Sequence, residues 1–292
     1  MNSEAHVNIA KAIDAVVSSL VINSTVAIVC TTQSKSIVQV GSGTLLSIAD
    51  SCFLVTAAHV ARATQKMGGT PGIIGLKASL PTALTGEWTL SSSDSESAIG
   101  DKYDIALYRL NENQKQRLTG CEFVRIGDVD FSSDLQNGYF VLCGFPSVWS
   151  VTSNNCSEPL ILRPLLYGVT SYVGLPTGLQ GFDTNYHLLF EAIAEKTLDH
   201  QGRSARMRTR SNHWVSMPGG LRGISGCSVW LIGNVTSPIH TWNPKDARIV
   251  GVETGVFEGA HPTIKASKWN AVLSLIYAAY SDLRPSIDLY IT

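Results

Sequence analysis

Three short segments carry the side chains that could do chemistry together. His59 closes the apolar run Phe53-Leu-Val-Thr-Ala-Ala-His59, Asp104 opens the run Asp104-Ile-Ala-Leu107, and Ser225 stands between glycines in Gly223-Ile-Ser225-Gly226. A serine hydroxyl attacks an unactivated amide only with a base to take its proton, an anion to orient that base, and donors for the developing oxyanion. Histidine, aspartate and a glycine-flanked serine are the residue types for those tasks. Two of the three have rivals: Asp101 competes with Asp104 as the orienting carboxylate, and Ser228 and Cys227 compete with Ser225 as nucleophile. Ser228 lacks the flanking glycines, and Cys227 reads as a core residue. His200, His213 and the other histidines show no spacing with cysteine or carboxylate that suits a metal, and no phosphate-binding glycine loop or dinucleotide fingerprint appears, so no cofactor is expected.

The elements that must position these residues read as strands. Thr25–Thr32, Ser36–Val40, Thr44–Ile48, Phe53–Thr56, Gly72–Leu76 and Asp104–Leu110 are short runs rich in Val, Ile, Leu and Thr, separated by Gly, Ser, Asp and Asn. After the polar stretch Gly127–Asn137 a second series follows: Tyr139–Cys143, Leu165–Val173, His187–Ile193, Ser228–Ile232 and Arg248–Phe257. Ser3–Leu20 has helical spacing, as does Ser267–Tyr280, whose helix is expected to end before Pro285.

The chain has 292 residues, 44% of them apolar and 15% charged, which favours a well-buried globule over disorder. A formal net charge of −1 gives no global attraction for nucleic acid or anionic lipid. The N-terminal stretch lacks a basic region and is interrupted by Asp14, Ser18 and Ser19, so neither a signal peptide nor a spanning helix is indicated and a cytoplasmic location is expected. Six scattered cysteines read as free, mostly buried thiols.

Taken together, Thr56-Ala57-Ala58-His59 resembles the histidine motif of trypsin-like serine peptidases, Gly223-x-Ser225-Gly226 their nucleophile motif, and Asp104-Ile-Ala-Leu107 their aspartate motif. The order is the family's, and the 45 residues from His59 to Asp104 (104 − 59) are similar to its spacing within one barrel. Gly41-Ser-Gly43-Thr44-Leu45 resembles the strand before the histidine, and Ile249-Val-Gly251-Val-Glu-Thr-Gly255 the strand that pairs with bound substrate. The likeness runs from about Thr25 to Asp282 and points to an intracellular, bacterial-type member.

That resemblance implies an all-β fold of two antiparallel six-stranded barrels with a short N-terminal helix and a C-terminal helix. The expected segments are 1–24 (helical), 25–126 (first barrel, with His59 and Asp104), 127–265 (second barrel, with Ser225 and the specificity pocket) and 266–292 (helix and tail). It implies a serine endopeptidase with His59, Asp104 and Ser225 as triad and the N–H groups of Gly223 and Ser225 as oxyanion hole. Where many members carry an acidic residue just before the nucleophile, this chain has Ile224, so activation by N-terminal trimming is not expected. Gly219, six residues before Ser225, offers no carboxylate for a basic substrate side chain. Gly219 as the pocket floor, Arg222, Thr254, Gly255 and Thr263 are the expected substrate-binding residues and suit a polar or acidic one. The run Gly202–Arg210, with four arginines, reads as a long loop that could engage an activating protein partner. The rival readings are an inactive two-barrel binding module and a stress-response protease with chaperone activity.

Overall fold

The computed structural model describes residues 17, 19–92, 101–131, 135–147, 162–174, 179, 181–191, 206–208, 214–216, 221–257 and 263–291. The first half holds β1 (Thr25–Thr31), β2 (Ile37–Ile48), β3 (Ser51–Ala57), β4 (Thr70–Gly75), β5 (Thr82–Ala83), β6 (Trp88–Leu90), β7 (Ile105–Leu110) and β8 (Val124–Arg125). Antiparallel pairing gives the order β5-β4-β1-β2-β3-β7-β6, and β8 lies parallel to β2. The second half holds β9 (Gly138–Gly144), β10 (Leu165–Thr170), β11 (His187–Glu191), β12 (Arg206–Arg208), β13 (Trp214–Ser216), β14 (Ser228–Asn234), β15 (Arg248–Phe257) and β16 (Thr263–Lys268). Six of these form a sheet in the order β10-β9-β14-β15-β16-β11, while β12 and β13 pair with each other. The two edges of that sheet meet: Ser171 bridges Phe190, and Tyr172 N donates to Leu189 O at 2.9 Å. Closing the sheet removes its open edges.

Alternation along the strands sorts side chains into three cores. Val26, Ile28, Leu45, Leu54, Ile73 and Tyr108 fill the first sheet, and Phe140, Leu142, Tyr167, Phe190, Val229 and Ile264 fill the second. A third cluster joins them, with Phe53, Val55, Ile105 and Leu107 of the first sheet against Val141, Trp230 and Val252 of the second. This is the two-barrel all-β architecture, its halves held by a shared apolar seam.

The second sheet has the expected six strands, and the first has eight because β5, β6 and β8 are too short to register as hydrophobic runs. The runs Ser36–Val40 and Thr44–Ile48 are one strand, β2, which carries Gly41-Ser-Gly43 through without a break. A Cβ at Gly41 would stand 2.5 Å from a Val60 methyl and 3.1 Å from Ser225 O, so the glycine marks close approach rather than a turn.

Five α-helices are described: α1 (Ser19–Asn23), α2 (Ala58–Lys66), α3 (Glu112–Arg117), α4 (Trp269–Ala279) and α5 (Arg284–Ile291). The expected helix over Ser3–Leu20 lies mostly outside the described residues. Helix α4 buries Trp269, Val272, Leu273 and Ile276 against the seam. It ends at Ala279, before Pro285 as expected, and Pro285 sits in the first turn of a further helix, α5, where a missing N–H costs no helical hydrogen bond. The expected loop Gly202–Arg210 is corrected in part, since Arg206–Arg208 pairs with Trp214–Ser216. Dense charge hid that short pairing from a hydrophobic-pattern reading.

Candidate active site

Helix α2 begins immediately after β3 with Ala57 at its N-cap, a residue with no side chain to cap the exposed N–H groups. Asp104 takes over that task from a distant part of the chain. Its carbonyl accepts from Ala58 N at 2.9 Å and its Oδ1 from His59 N at 2.9 Å. The second oxygen, Oδ2, lies 2.6 Å from His59 Nδ1. One carboxylate therefore fixes both the backbone and the ring of His59, and its negative charge sits at a helix N-terminus where it is favoured.

Asp104 reaches this position through a left-handed backbone (φ 50°), a conformation costly for a non-glycine residue and held here by neighbours. The main holder is Asp101, whose Oδ1 accepts from Asp104 N at 2.9 Å and from Ser91 Oγ at 2.6 Å. Its Oδ2 pairs with Arg62 of α2 at 2.9 Å. The competition between the two carboxylates thus has a geometric answer: Asp104 meets His59, and Asp101 props the turn that presents it.

The Asp104 carboxylate is fully buried, while the His59 side chain keeps 35% of its surface open. Burial alone would lower the His59 imidazole, but the hydrogen bond and charge of Asp104, with help from Glu253, outweigh it and raise the group above its ordinary value. Nε2 makes no hydrogen bond among the described residues.

The serine loop is held from the first sheet. Ser42 N donates to Ser225 O at 2.9 Å, Ser42 Oγ donates to Gly223 O at 2.8 Å, and Phe145 N donates to Ser42 Oγ at 2.8 Å. Arg222 O accepts from Ser147 N at 2.8 Å and from Ser147 Oγ at 3.0 Å. Because the peptide is planar and trans, pinning Arg222 O on Ser147 turns Gly223 N–H to the opposite side. Gly223 (φ 95°) and Gly226 (φ 88°) both occupy the left-handed region. A Cβ at Gly223 would stand 2.6 Å from Ser147 N and 2.9 Å from Phe145 O, and one at Gly226 would run into Thr56 Oγ1 and Ser42 O.

The Ser225 hydroxyl is not bonded to His59. It lies beside the Glu253 carboxylate, close enough to favour that group's charged form, without completing a hydrogen bond there. Glu253 is fully buried within β15, and neither of its oxygens has a hydrogen-bond partner among the described residues. Burial pushes it up to about 7, against the pull of His59 and Ser225.

The remaining expected residues fall out as follows. Ile224 is buried in the second core, where an acidic residue would have no partner. Cys227 is buried, and burial pushes its thiol well above the ordinary range, so it supplies no thiolate. Ser228 is buried and accepts from Trp230 Nε1 at 2.7 Å. Arg222 is exposed, Thr254 and Thr263 are buried with hydroxyls that have no partner among the described residues, and Gly255 packs over Lys265. Gly219 lies outside the described residues. Sequence reasoning missed Glu253 and Lys265, whose signal was a charge inside an otherwise apolar or alternating strand. It also missed Ser42 as the tie between sheet and loop.

The architecture and side chains define a two-barrel β protein with a histidine–carboxylate pair set against a glycine-flanked serine loop. No protein-family profile and no curated protein matches the chain in sequence. Among solved structures it is similar to the thermostable serine protease AL20 from an extremophilic microorganism (11% identity, 89% of this chain and 98% of that one, TM-score 0.46). It is similar also to HL collagenase (12%, 88% and 93%, 0.47) and to the active form of the Rv3671c protease from M. tuberculosis (14%, 88% and 81%, 0.40). Likenesses this distant carry nothing about chemistry, and the functional case rests on the side chains. No helix among the described residues is long and apolar enough to cross a membrane.

Proposed function

We propose that the chain is a serine endopeptidase acting through an acyl-enzyme intermediate. The observation that carries this reading is the double grip of Asp104 on His59, through N and Nδ1, beside a serine loop fixed by Ser42. That grip selects the tautomer with a proton on Nδ1 and leaves Nε2 free to act as base. Ser225 Oγ would turn from Glu253 to Nε2, lose its proton to it and attack the scissile carbonyl. The N–H groups of Gly223 and Ser225 would receive the oxyanion. His59 would then pass the proton to the leaving amine, and water would repeat the sequence to release the acid. Asp104 would stabilise the imidazolium without itself taking the proton.

Limited processing in the cytosol is part of the proposal. It is supported by thiols that are all free among the described residues, a pattern suited to a reducing compartment, and by a serine hydroxyl that lies beside Glu253 and is not bonded to His59. The arginine run 202–210 is the proposed contact for an activating protein partner. Incubation of wild-type protein and Ser225→Ala with denatured protein substrates, followed by mass spectrometry of the fragments, tests the reading. Discrete fragments from the wild type alone support it; equal fragments from both, or none from either, contradict it.

A second reading, a two-barrel binding module without turnover, is favoured by the missing hydrogen bond between Ser225 and His59. An acyl-enzyme trapped at low pH with an activated ester would exclude it.

A further inference from the structure

Strand β16 alternates in an unusual way. Ile264 and Ala266 point into the core of the second sheet, so Thr263, Lys265 and Ser267 share the opposite face, and all three are buried. Ser267 Oγ donates to Tyr103 O, which places this face against the turn that carries Asp104. Lys265 is 6% exposed. It pairs with Gly255 of β15 on one side and Leu189 of β11 on the other, and its Cε would lie 3.8 Å from a Cβ added to Gly255. Its charge is felt at His59 and at His187, so the ammonium stands within the electrostatic reach of the candidate base.

A lysine so deeply buried ordinarily has a partner, because an unpaired buried cation is expensive. Lys265 makes no hydrogen bond or ion pair with any described residue. Its neighbouring carboxylates are engaged elsewhere: Asp104 with His59 and Asp101 with Arg62. Glu253 has two free oxygens, yet neither comes within ion-pair distance of the ammonium. Two further donors have no partner among the described residues, the hydroxyls of Thr254, beside Gly255, and of Thr263, two residues along β16 on the Lys265 face. The ammonium of a lysine only 6% exposed and two buried hydroxyls, gathered on one strand pair and without an acceptor among the described residues, make a cradle for an anion.

We infer that Lys265, with Thr254 and Thr263, forms a subsite for an acidic side chain of the substrate, in the stretch of peptide that pairs with β15. The inference rests on the peptidase reading above. A backbone laid along Thr254 and Gly255 passes over Lys265 with no side chain between, since residue 255 is glycine. An Asp or Glu reaching down there would pair with the ammonium and give the threonine hydroxyls an acceptor. Its neutral amide counterpart would leave the cation unpaired. Arg222, exposed on the serine loop, is not needed for this recognition. Nothing but the carboxylate is demanded of the substrate, and its position relative to the cut bond is read from the experiment.

The test is a positional peptide library cleaved by the wild-type protein, followed by matched peptides in which the selected Asp or Glu is replaced by Asn or Gln. The expected result is a preference of about tenfold or more in kcat/KM for the acid, lost in Lys265→Met and reversed towards a basic residue in Lys265→Glu. Cleavage without any acidic preference, or a preference that survives in Lys265→Met, overturns the subsite while leaving the peptidase reading intact. Should Lys265→Met fail to fold, the wild-type library alone decides. Should no peptide be cleaved, titration of Ser225→Ala with the acidic and amide peptides separates the two ideas. Tighter binding of the acidic peptides upholds the subsite without turnover, and equal affinity overturns it.

Discussion

The Ser42 hydroxyl donates to the carbonyl of Gly223 at 2.8 Å, while its own backbone N–H holds the carbonyl of Ser225 at 2.9 Å. A single residue of the first sheet thus holds two carbonyls of the serine loop, which belongs to the second half of the chain. The arrangement spans the seam between the sheets, so the geometry of the site depends on how the halves dock.

Replacing Ser42 with Ala leaves the buried Phe145 N–H without an acceptor and frees Gly223 O. Stability is expected to fall by about 1–3 kcal/mol, the cost of an unmet buried donor. The acylation rate is expected to fall by about tenfold or more as the donors for the oxyanion lose their fixed aim. Urea denaturation and single-turnover acylation measure the two effects separately.

Asp104→Asn tests the grip on His59. The rate is expected to drop by about four orders of magnitude, the scale known for loss of this carboxylate in an equivalent arrangement. Its hydrogen bond and charge are what raise the imidazole against the lowering effect of burial. Removing them moves the acid limb of the pH–rate profile to lower pH. A profile that kept its midpoint would mean that another group titrates.

Glu253 carries a pH dependence of its own. Its folded value of about 7 lies above the ordinary 4.5, so the protonated form is the one the fold prefers. That contribution is complete below pH 4.5 and is lost as the pH rises through 7, a change of about 3 kcal/mol. Glu253→Gln lacks this loss. Chemical denaturation at pH 4.5 and at pH 8 is expected to show the variant gaining on the wild type at the higher pH. The same substitution removes a negative charge near His59, so its acid limb also moves to lower pH.

Gly226→Ala is expected to be far worse than a surface change, because the new methyl runs into Thr56 Oγ1 and Ser42 O and the backbone is left-handed. A loss of several kcal/mol, or of soluble expression, is the outcome to look for, with Gly127→Ala as a control site where nothing lies within 4 Å.

Much of this was legible in the sequence. Long strands such as Arg248–Phe257 declare themselves by apolar content, and Gly223-Ile-Ser225-Gly226 by glycines that only a tight loop requires. Helix α3 could have been read from Asn111 and Gln114, which form a capping box, yet its six residues offer little apolar periodicity. Short strands such as Thr82–Ala83 exist only because a neighbour pairs with them. Glu253 and Lys265 were invisible for a different reason. A charge within a strand reads as solvent-facing, and only the packing of β15 and β16 against the Asp104 turn buries both. The role of Ser42 likewise depends on a contact across more than 180 positions, which spacing along the chain does not encode.

The most direct test of the central claim is covalent labelling of the purified protein by a fluorophosphonate, with the modified residue located by mass spectrometry. The account predicts a single adduct on Ser225, absent from Ser225→Ala and slowed in Asp104→Asn; an adduct elsewhere, or labelling that persists in Ser225→Ala, would contradict it.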